Sequence, residues 1–312
     1  MKKKILVVIL IGVTLLIAAS LRSVFIEPDI QFISFQSATL NTALTEAHAK
    51  WSKAVEKYGA GAVYELVASE YEHVSGNDWH TAGHVLGGIF YERYGIEAVG
   101  YCDSRFDLGC YHEALGRALI ENGATSLADL FEKCVSNGSE KECLHAVGHG
   151  LIAREGYSEE ALLKTLSLCR ELHKSTELVQ SCPGGAFMEY NTRLLSEKKN
   201  RDIDLFHPTY PCEMLPADSY RGICYFWLPS WWLGFFHEIS EEERVKNFFH
   251  FCASAKSEKD IHACVEGIGY TTMPTKEKRN TEVCLHLPKE FQESCSFVAT
   301  EGKTYNPYDE EK

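Results

Sequence analysis

The sequence lacks the compact motifs by which many enzymes and zinc modules are recognised. It contains no G-x-S-x-G, no G-x-G-x-x-G and no P-loop, so nothing signals a serine nucleophile, a dinucleotide site or a phosphate-binding loop. The spacing C-x2-C, typical of structural zinc sites, is also absent although the chain has 12 cysteines. Any chemistry must therefore be argued from other residue patterns.

Positive charge is scarce as well. The chain has 31 Lys and Arg against 44 Asp and Glu, a net charge of −13, and no basic cluster is interleaved with aromatics. Nucleic-acid binding is disfavoured, because it needs a basic surface. No stretch alternates between apolar and polar residues for long, so the sequence predicts an all-α fold without a sheet.

The N-terminus predicts export from the cytoplasm. Lys2 to Lys4 precede an apolar run from Ile5 to Ala19, the order of a signal sequence. Residues 1–22 are interpreted as a signal peptide, cleaved near Ala18-Ala19-Ser20, or as an anchor that holds the protein to the membrane through residues 5–21. Either alternative places the rest of the chain outside the cytoplasm, where disulfides persist. Residues 23–40 are interpreted as a linker.

The cysteines form six consecutive pairs. Members of a pair lie 8 to 13 residues apart, whereas successive pairs begin 32 to 43 residues apart. This alternation is typical of a repeat array, and it predicts six local disulfides with a structural role. A redox role for some of them is the alternative. The predicted pairs are Cys102 with Cys110, Cys134 with Cys143, Cys169 with Cys182, Cys212 with Cys224, Cys252 with Cys264, and Cys284 with Cys295.

The segment between two disulfides has the pattern of a helical hairpin. After Cys110, apolar residues recur at helical spacing, Asn122-Gly123 supplies a turn, and Ser126 can cap a second helix that ends at Cys134. We therefore predict an all-α repeat domain over residues 41–302, followed by an acidic tail over 303–312. Its disulfide-linked αα-hairpins form a curved solenoid or a closed α/α toroid.

A family resemblance supports this architecture. Cys102-x7-Cys110, the following Leu115-Gly116 and a period of about 35 residues resemble the cysteine-rich Sel1-like repeats, helical hairpins of the tetratricopeptide type. The resemblance covers residues 102–169. It implies an array of helical hairpins and no particular function, because such scaffolds host many functions.

Two histidine pairs, His80/His84 and His145/His149, have the i, i+4 spacing. Residues four apart lie on one face of a helix, so each pair can grip a metal ion from one side. The alternative is that these histidines pack between helices and bond to carbonyl groups.

A fifth histidine falls in the same register. When the helices are aligned on Asp78, Cys110 and Cys143, His112 matches the first histidine of each pair and Gly116 the second. The pattern assigns no carboxylate ligand to the set, and a site of imidazole ligands suits zinc, copper or iron. We predict that five metal ligands converge on one metal site: His80, His84, His112, His145 and His149.

Two function classes remain open on the sequence. The first is an extracytoplasmic metalloprotein. If it is an enzyme, Glu113 is the candidate base that activates a metal-bound water. The second is a non-catalytic repeat scaffold whose concave face binds a peptide or protein partner. The aromatic segment from Tyr225 to Phe236 is interpreted as a buried helix, with an exposed wall for a ligand, glycan or membrane as the alternative.

Overall fold

The computed structural model of the chain describes most of the residues beyond the N-terminal segment. These residues fall into two compact units that divide between Asp78 and Trp79. The described ranges are 30–35, 39–74, 77–172, 181–192, 205–217, 219–236, 238–271 and 281–301.

All regular secondary structure in the described ranges is helical, which confirms the predicted all-α class. In the part of the chain that the structure describes, five short 3-10 helices connect longer α-helices: Gly95–Tyr101, Arg105–Leu108, Gly123–Ser126, Cys212–Met214 and Thr281–His286. The α-helices are α1 (Leu40–Tyr58), α2 (Ala60–Glu70), α3 (Asn77–Tyr94), α4 (Gly109–Asn122), α5 (Leu127–Ser136), α6 (Glu140–Glu155), α7 (Glu159–Leu172), α8 (Ser181–Thr192), α9 (Ser219–Trp232), α10 (Glu241–Cys252), α11 (Glu258–Thr271) and α12 (Lys289–Glu301).

All twelve cysteines are paired in the structure, and the pairing confirms the prediction from their spacing. Each of the six disulfides joins cysteines that are neighbours in sequence, with Cα atoms 5.5 to 5.8 Å apart. The bonds join Cys102 to Cys110, Cys134 to Cys143, Cys169 to Cys182, Cys212 to Cys224, Cys252 to Cys264, and Cys284 to Cys295.

The disulfides occupy equivalent places along the chain. The first cysteine of each pair lies in or just after one helical element, and the second lies in the next long helix. In the later part of the chain, for example, the second cysteines are Cys224 in α9, Cys264 in α11 and Cys295 in α12. Every disulfide therefore closes the connection into α4, α6, α8, α9, α11 or α12.

The first unit, up to Asp78, packs a short extended segment on α1 and α2. Phe35 contacts the buried Trp51 and Tyr71, and the Tyr71 hydroxyl bonds to both the N–H and the C=O of Ile33. Of the segment interpreted as a linker, the structure describes residues 30–35, which have no regular secondary structure, and residues 39–40, where α1 begins at Leu40.

The terminal segments of the sequence lie outside the described residues. These are the predicted signal or anchor over residues 1–22 and the acidic tail over 303–312. Among the helices that the structure describes, none is both long and apolar enough to cross a membrane. Attachment to a membrane through residues 5–21 therefore stays a prediction.

In the second unit, the helices that carry the second cysteine of each pair form a row. Helix α4 packs on α6, α6 on α8, α8 on α9, α9 on α11 and α11 on α12. Glycines bring the backbones together: a Cβ added at Gly148 of α6 would lie 1.9 Å from the carbonyl oxygen of Cys182 in α8. Such close packing brings side chains from successive helices to one place.

Candidate metal centre

The five predicted histidines come together on three neighbouring helices. His80 and His84 lie on α3, His112 on α4, and His145 and His149 on α6. Glycines again allow the approach of the helices. A Cβ added at Gly109 of α4 would lie 2.4 Å from the carbonyl oxygen of His80, and one added at Gly150 of α6 would lie 3.1 Å from the Cα atom of Gly116.

The first histidine pair is held from outside by two different acceptors. The Nδ1 atom of His80 lies 3.1 Å from the carbonyl oxygen of Phe106, and Nδ1 of His84 lies 3.2 Å from Oε2 of Glu113. The Nε2 atoms of the two rings face each other at 3.1 Å.

The second pair repeats this arrangement. The Nε2 atoms of His145 and His149 are also 3.1 Å apart, and Nδ1 of His149 lies 3.0 Å from Oε2 of Glu189. His145 is hydrogen-bonded to the main chain of Ser181, at the start of α8. Glu113 and Glu189 thus occupy equivalent positions: Glu113 of α4 holds a histidine of α3, and Glu189 of α8 holds a histidine of α6.

These partners fix the tautomers of the rings. A carbonyl oxygen and an ionised carboxylate only accept hydrogen bonds, so Nδ1 of His80 and of His84 must each donate its N–H. In the neutral ring Nε2 then carries a lone pair, and two lone pairs face each other at 3.1 Å. Two nitrogens this far apart that bind one ion at ~2.1 Å subtend an angle of about 95° at the metal.

His112 lies between the two pairs. Its side chain is only 8% exposed, and neither ring nitrogen has a hydrogen-bond partner. Its ring centroid is 5.3 Å from that of His80 and 4.4 Å from that of His149. Ligand atoms within 4.8 Å of one another define two groups of three, His80/His84/His112 and His112/His145/His149, and either group could hold a metal ion.

Burial keeps several of these rings neutral. Burial, and next the neighbouring His84, lower the pKa of His80 from 6.5 to about 4. Burial and His149 lower the pKa of His145 to about 3. The pKa of His112 lies well below 6.5 for the same reasons. Neutral imidazole is the form that binds metals, so these three rings are in the ligand form at neutral pH.

Both oxygens of each carboxylate that holds a histidine, Glu113 and Glu189, are hydrogen-bonded. Burial raises the pKa of Glu113, but its bonds to His84 and to Arg117 outweigh burial and leave that pKa lowered. Its Oε1 accepts a bond of 2.7 Å from Arg117, while Oε1 of Glu189 accepts one of 2.7 Å from Tyr157. Each carboxylate therefore has one oxygen on a histidine and one on another donor.

The carbonyl group that accepts the hydrogen bond of His80, that of Phe106, belongs to an unusual turn. Phe106, Asp107 and Leu108 all have positive φ angles, between 47° and 67°, although none is glycine. Phe106 is fully buried and stacks on Trp79 with ring centroids 4.2 Å apart. Packing of this side chain holds the strained turn, which aims the Phe106 carbonyl at His80. Nothing in the sequence signalled this role.

Aromatic side chains lie beside the second histidine pair. Tyr270 packs against Trp227, whose ring centroid lies 5.8 Å from that of His145. Glu266 is buried in α11.

Most side chains of the aromatic segment from Tyr225 to Phe236 are buried, as the sequence predicted. Tyr225, Phe226, Trp231 and Trp232 are buried within or at the end of α9, whereas Trp227 is partly buried. Pro229 lies in the last part of α9. Within the described ranges, the histidines other than the five belong to no comparable group, and His173 and His237 lie outside those ranges.

No family model, curated protein or solved structure matches the chain. A function must therefore be inferred from the geometry of the histidine cluster.

Proposed function

We propose that the protein binds transition metal ions outside the cytoplasm. The observation that carries the proposal is the pair of Nε2 atoms 3.1 Å apart, found twice around a buried His112 whose nitrogens have no partner. Facing lone pairs repel each other unless a proton or a metal ion lies between them. A buried imidazole without hydrogen bonds is also unfavourable, and a metal ion would satisfy it.

The ligand chemistry favours zinc, copper or iron. Imidazole suits each of these ions, whereas magnesium and calcium prefer oxygen ligands. Three imidazoles around one ion leave a coordination position for water or for a substrate. In an enzyme, the ion would lower the pKa of that water and so supply a nucleophile.

Glu113 and Glu189 serve this site as positioning residues. Glu113 was predicted as a base, but one of its oxygens binds His84 and the other binds Arg117. A carboxylate behind a ligand histidine fixes the ring and raises its basicity. We therefore assign both glutamates to the support of the histidines.

The location and the fold belong to the same proposal. Six disulfides agree with an oxidising compartment outside the cytoplasm. The row of packed helices agrees with a curved array of hairpins, in which three successive members supply the five histidines. The N-terminal segment would direct export, and would anchor the chain if it is not cleaved.

Metal analysis of untagged protein tests the proposal. The full chain, expressed with export and purified without a polyhistidine tag, should retain zinc, copper or iron after dialysis. His84→Ala and His149→Ala should each reduce the metal content, because each removes a ligand from one group. His286→Ala is the matched control, since His286 lies outside both groups. Absence of metal from the wild-type chain after incubation with each ion would contradict metal binding and leave the scaffold alternative.

A further inference from the structure

The histidine cluster has the geometry of two centres rather than one. The five rings form two groups of three whose ligand atoms lie within 4.8 Å of one another, and the groups have only His112 in common. One ion that bound all five rings at ~2.1 Å would require every pair of ligand atoms to lie within about 4.2 Å. The grouping found here instead fits one ion at each histidine pair.

His112 has the properties of a shared ligand. Both of its nitrogens are buried and without a partner, although a neutral imidazole has only one N–H and one lone pair. The rings of His80 and His84 lie 5.3 and 5.7 Å from it, and those of His145 and His149 lie 6.1 and 4.4 Å from it, between centroids. A side chain with two free nitrogens thus stands between two pairs of ligands.

We propose that the site is dinuclear and that His112 bridges the two metal ions as an imidazolate. This inference rests on the proposed metal binding. One ion binds His80, His84 and one nitrogen of His112, while the other binds His145, His149 and the second nitrogen. Two metal–nitrogen bonds form at His112, its N–H bond breaks, and the proton passes to solvent.

The surrounding charges suit this arrangement. Two divalent ions bring a charge of +4, which the imidazolate reduces by one. Glu113 and Glu189 lie behind the two outer histidines and reduce it by two more. The remaining positive charge attracts hydroxide or an anionic ligand to the open coordination positions. One carboxylate supports each histidine pair, which agrees with one ion at each pair.

Copper(II) is the probe that distinguishes a bridge from separate or single sites. Two copper(II) ions joined through an imidazolate couple antiferromagnetically, so their electron paramagnetic resonance signal is largely lost at low temperature. The full-length wild-type chain, titrated with copper(II), should bind two ions and show much less than two spins. His112→Ala should still bind copper at the pairs but recover the full signal of the ions bound.

A second variant keeps the test valid if His112→Ala fails to fold. The double variant His80→Ala/His84→Ala should bind one copper ion with its full signal, because no second ion remains to couple with it. One ion with full signal in the wild-type chain, or two ions with two full spins, would overturn the bridge and leave the proposed metal binding intact. No copper binding in any chain would overturn the bridge, whereas the proposed metal binding would be overturned only if zinc and iron were not retained either.

Discussion

The carboxylates behind the two histidine pairs are the side chains on which the ligand geometry most depends. Glu113 and Glu189 are equivalent: each gives one oxygen to Nδ1 of the second histidine of a pair and the other oxygen to a donor outside the site. This arrangement sets the ring orientation and the tautomer before a metal ion arrives. Both carboxylates should therefore affect affinity without touching the metal.

Glu189→Ala should lower the affinity for zinc by about 10- to 100-fold, because His149 loses the partner that fixes its ring. Glu160→Ala is the matched control, since Glu160 is exposed on α7. Competition with a chromophoric chelator measures both affinities. Equal affinities in the two variants would show that Glu189 does not support the ligand.

The buried rings also make stability depend on pH. The pKa of His80 is about 4 and that of His145 about 3 in the folded chain, against 6.5 for an ordinary histidine. Between these values the unfolded chain binds more protons than the folded chain. The free energy of unfolding of the metal-free protein should therefore fall as the pH decreases from 6.5 to about 4, by up to ~1.4 kcal/mol per pH unit for each ring.

Urea denaturation at a series of pH values measures this slope. His145→Gln should make it shallower, because the substituted side chain does not titrate. A free energy of unfolding that is constant between pH 4 and 6.5, in a chain freed of metal by a chelator, would contradict the burial of neutral rings.

The helices were predictable because their signals are local. Apolar spacing and the Asn122-Gly123 turn lie within one or two turns of the residues they organise. Helix α5 does begin after Ser126, but the predicted cap is wrong, because the Ser126 hydroxyl donates to the Gly123 carbonyl and makes no capping bond. The histidine set was visible for the same reason, since the i, i+4 spacing places a pair on one face of a helix.

The partners of those histidines could not be predicted in the same way. The Phe106 carbonyl reaches His80 through a left-handed turn without glycine, which packing of the Phe106 ring holds in place. Glu189 is 40 residues from His149 in sequence, and only the packing of α8 on α6 joins them. The sequence also did not show that the five rings divide into two groups, because this division follows from the distances between helices.

Close packing of α6 on α8 gives a prediction about glycine. An alanine at Gly148 would place its Cβ 1.9 Å from the Cys182 carbonyl oxygen, so the helices must move apart. Gly148→Ala should lower the free energy of unfolding by about 1–3 kcal/mol or more. Gly116→Ala is the control, because its Cβ would meet nothing within 4 Å. Chemical denaturation compares the two, and equal losses would contradict the close approach.

The molecule as a whole depends on its disulfides. Each closes a short connection, because its two cysteines are 8 to 13 positions apart in sequence. In the chain-entropy model, a disulfide that closes such a loop stabilises the folded chain by up to ~3 kcal/mol. The six disulfides together would then contribute more than the net stability of a typical domain, which is ~5–15 kcal/mol.

Reduction under mild denaturing conditions should therefore lower the melting temperature markedly or unfold the second unit, which contains all six bonds. Circular dichroism follows the loss of helix, and an oxidised sample carried through the same steps is the control. A reduced chain with an unchanged melting temperature would show that helix packing alone holds the row together.

X-ray absorption at the zinc edge tests histidine coordination most directly. The zinc-bound wild-type chain, purified without a tag, should show nitrogen ligands at ~2.0–2.1 Å with the outer-shell scattering of imidazole rings. Loss of both pairs, in a variant with alanine at His80, His84, His145 and His149, should remove that scattering together with the bound zinc. Zinc surrounded only by oxygen or sulfur, or a spectrum unchanged in the variant, would contradict the account.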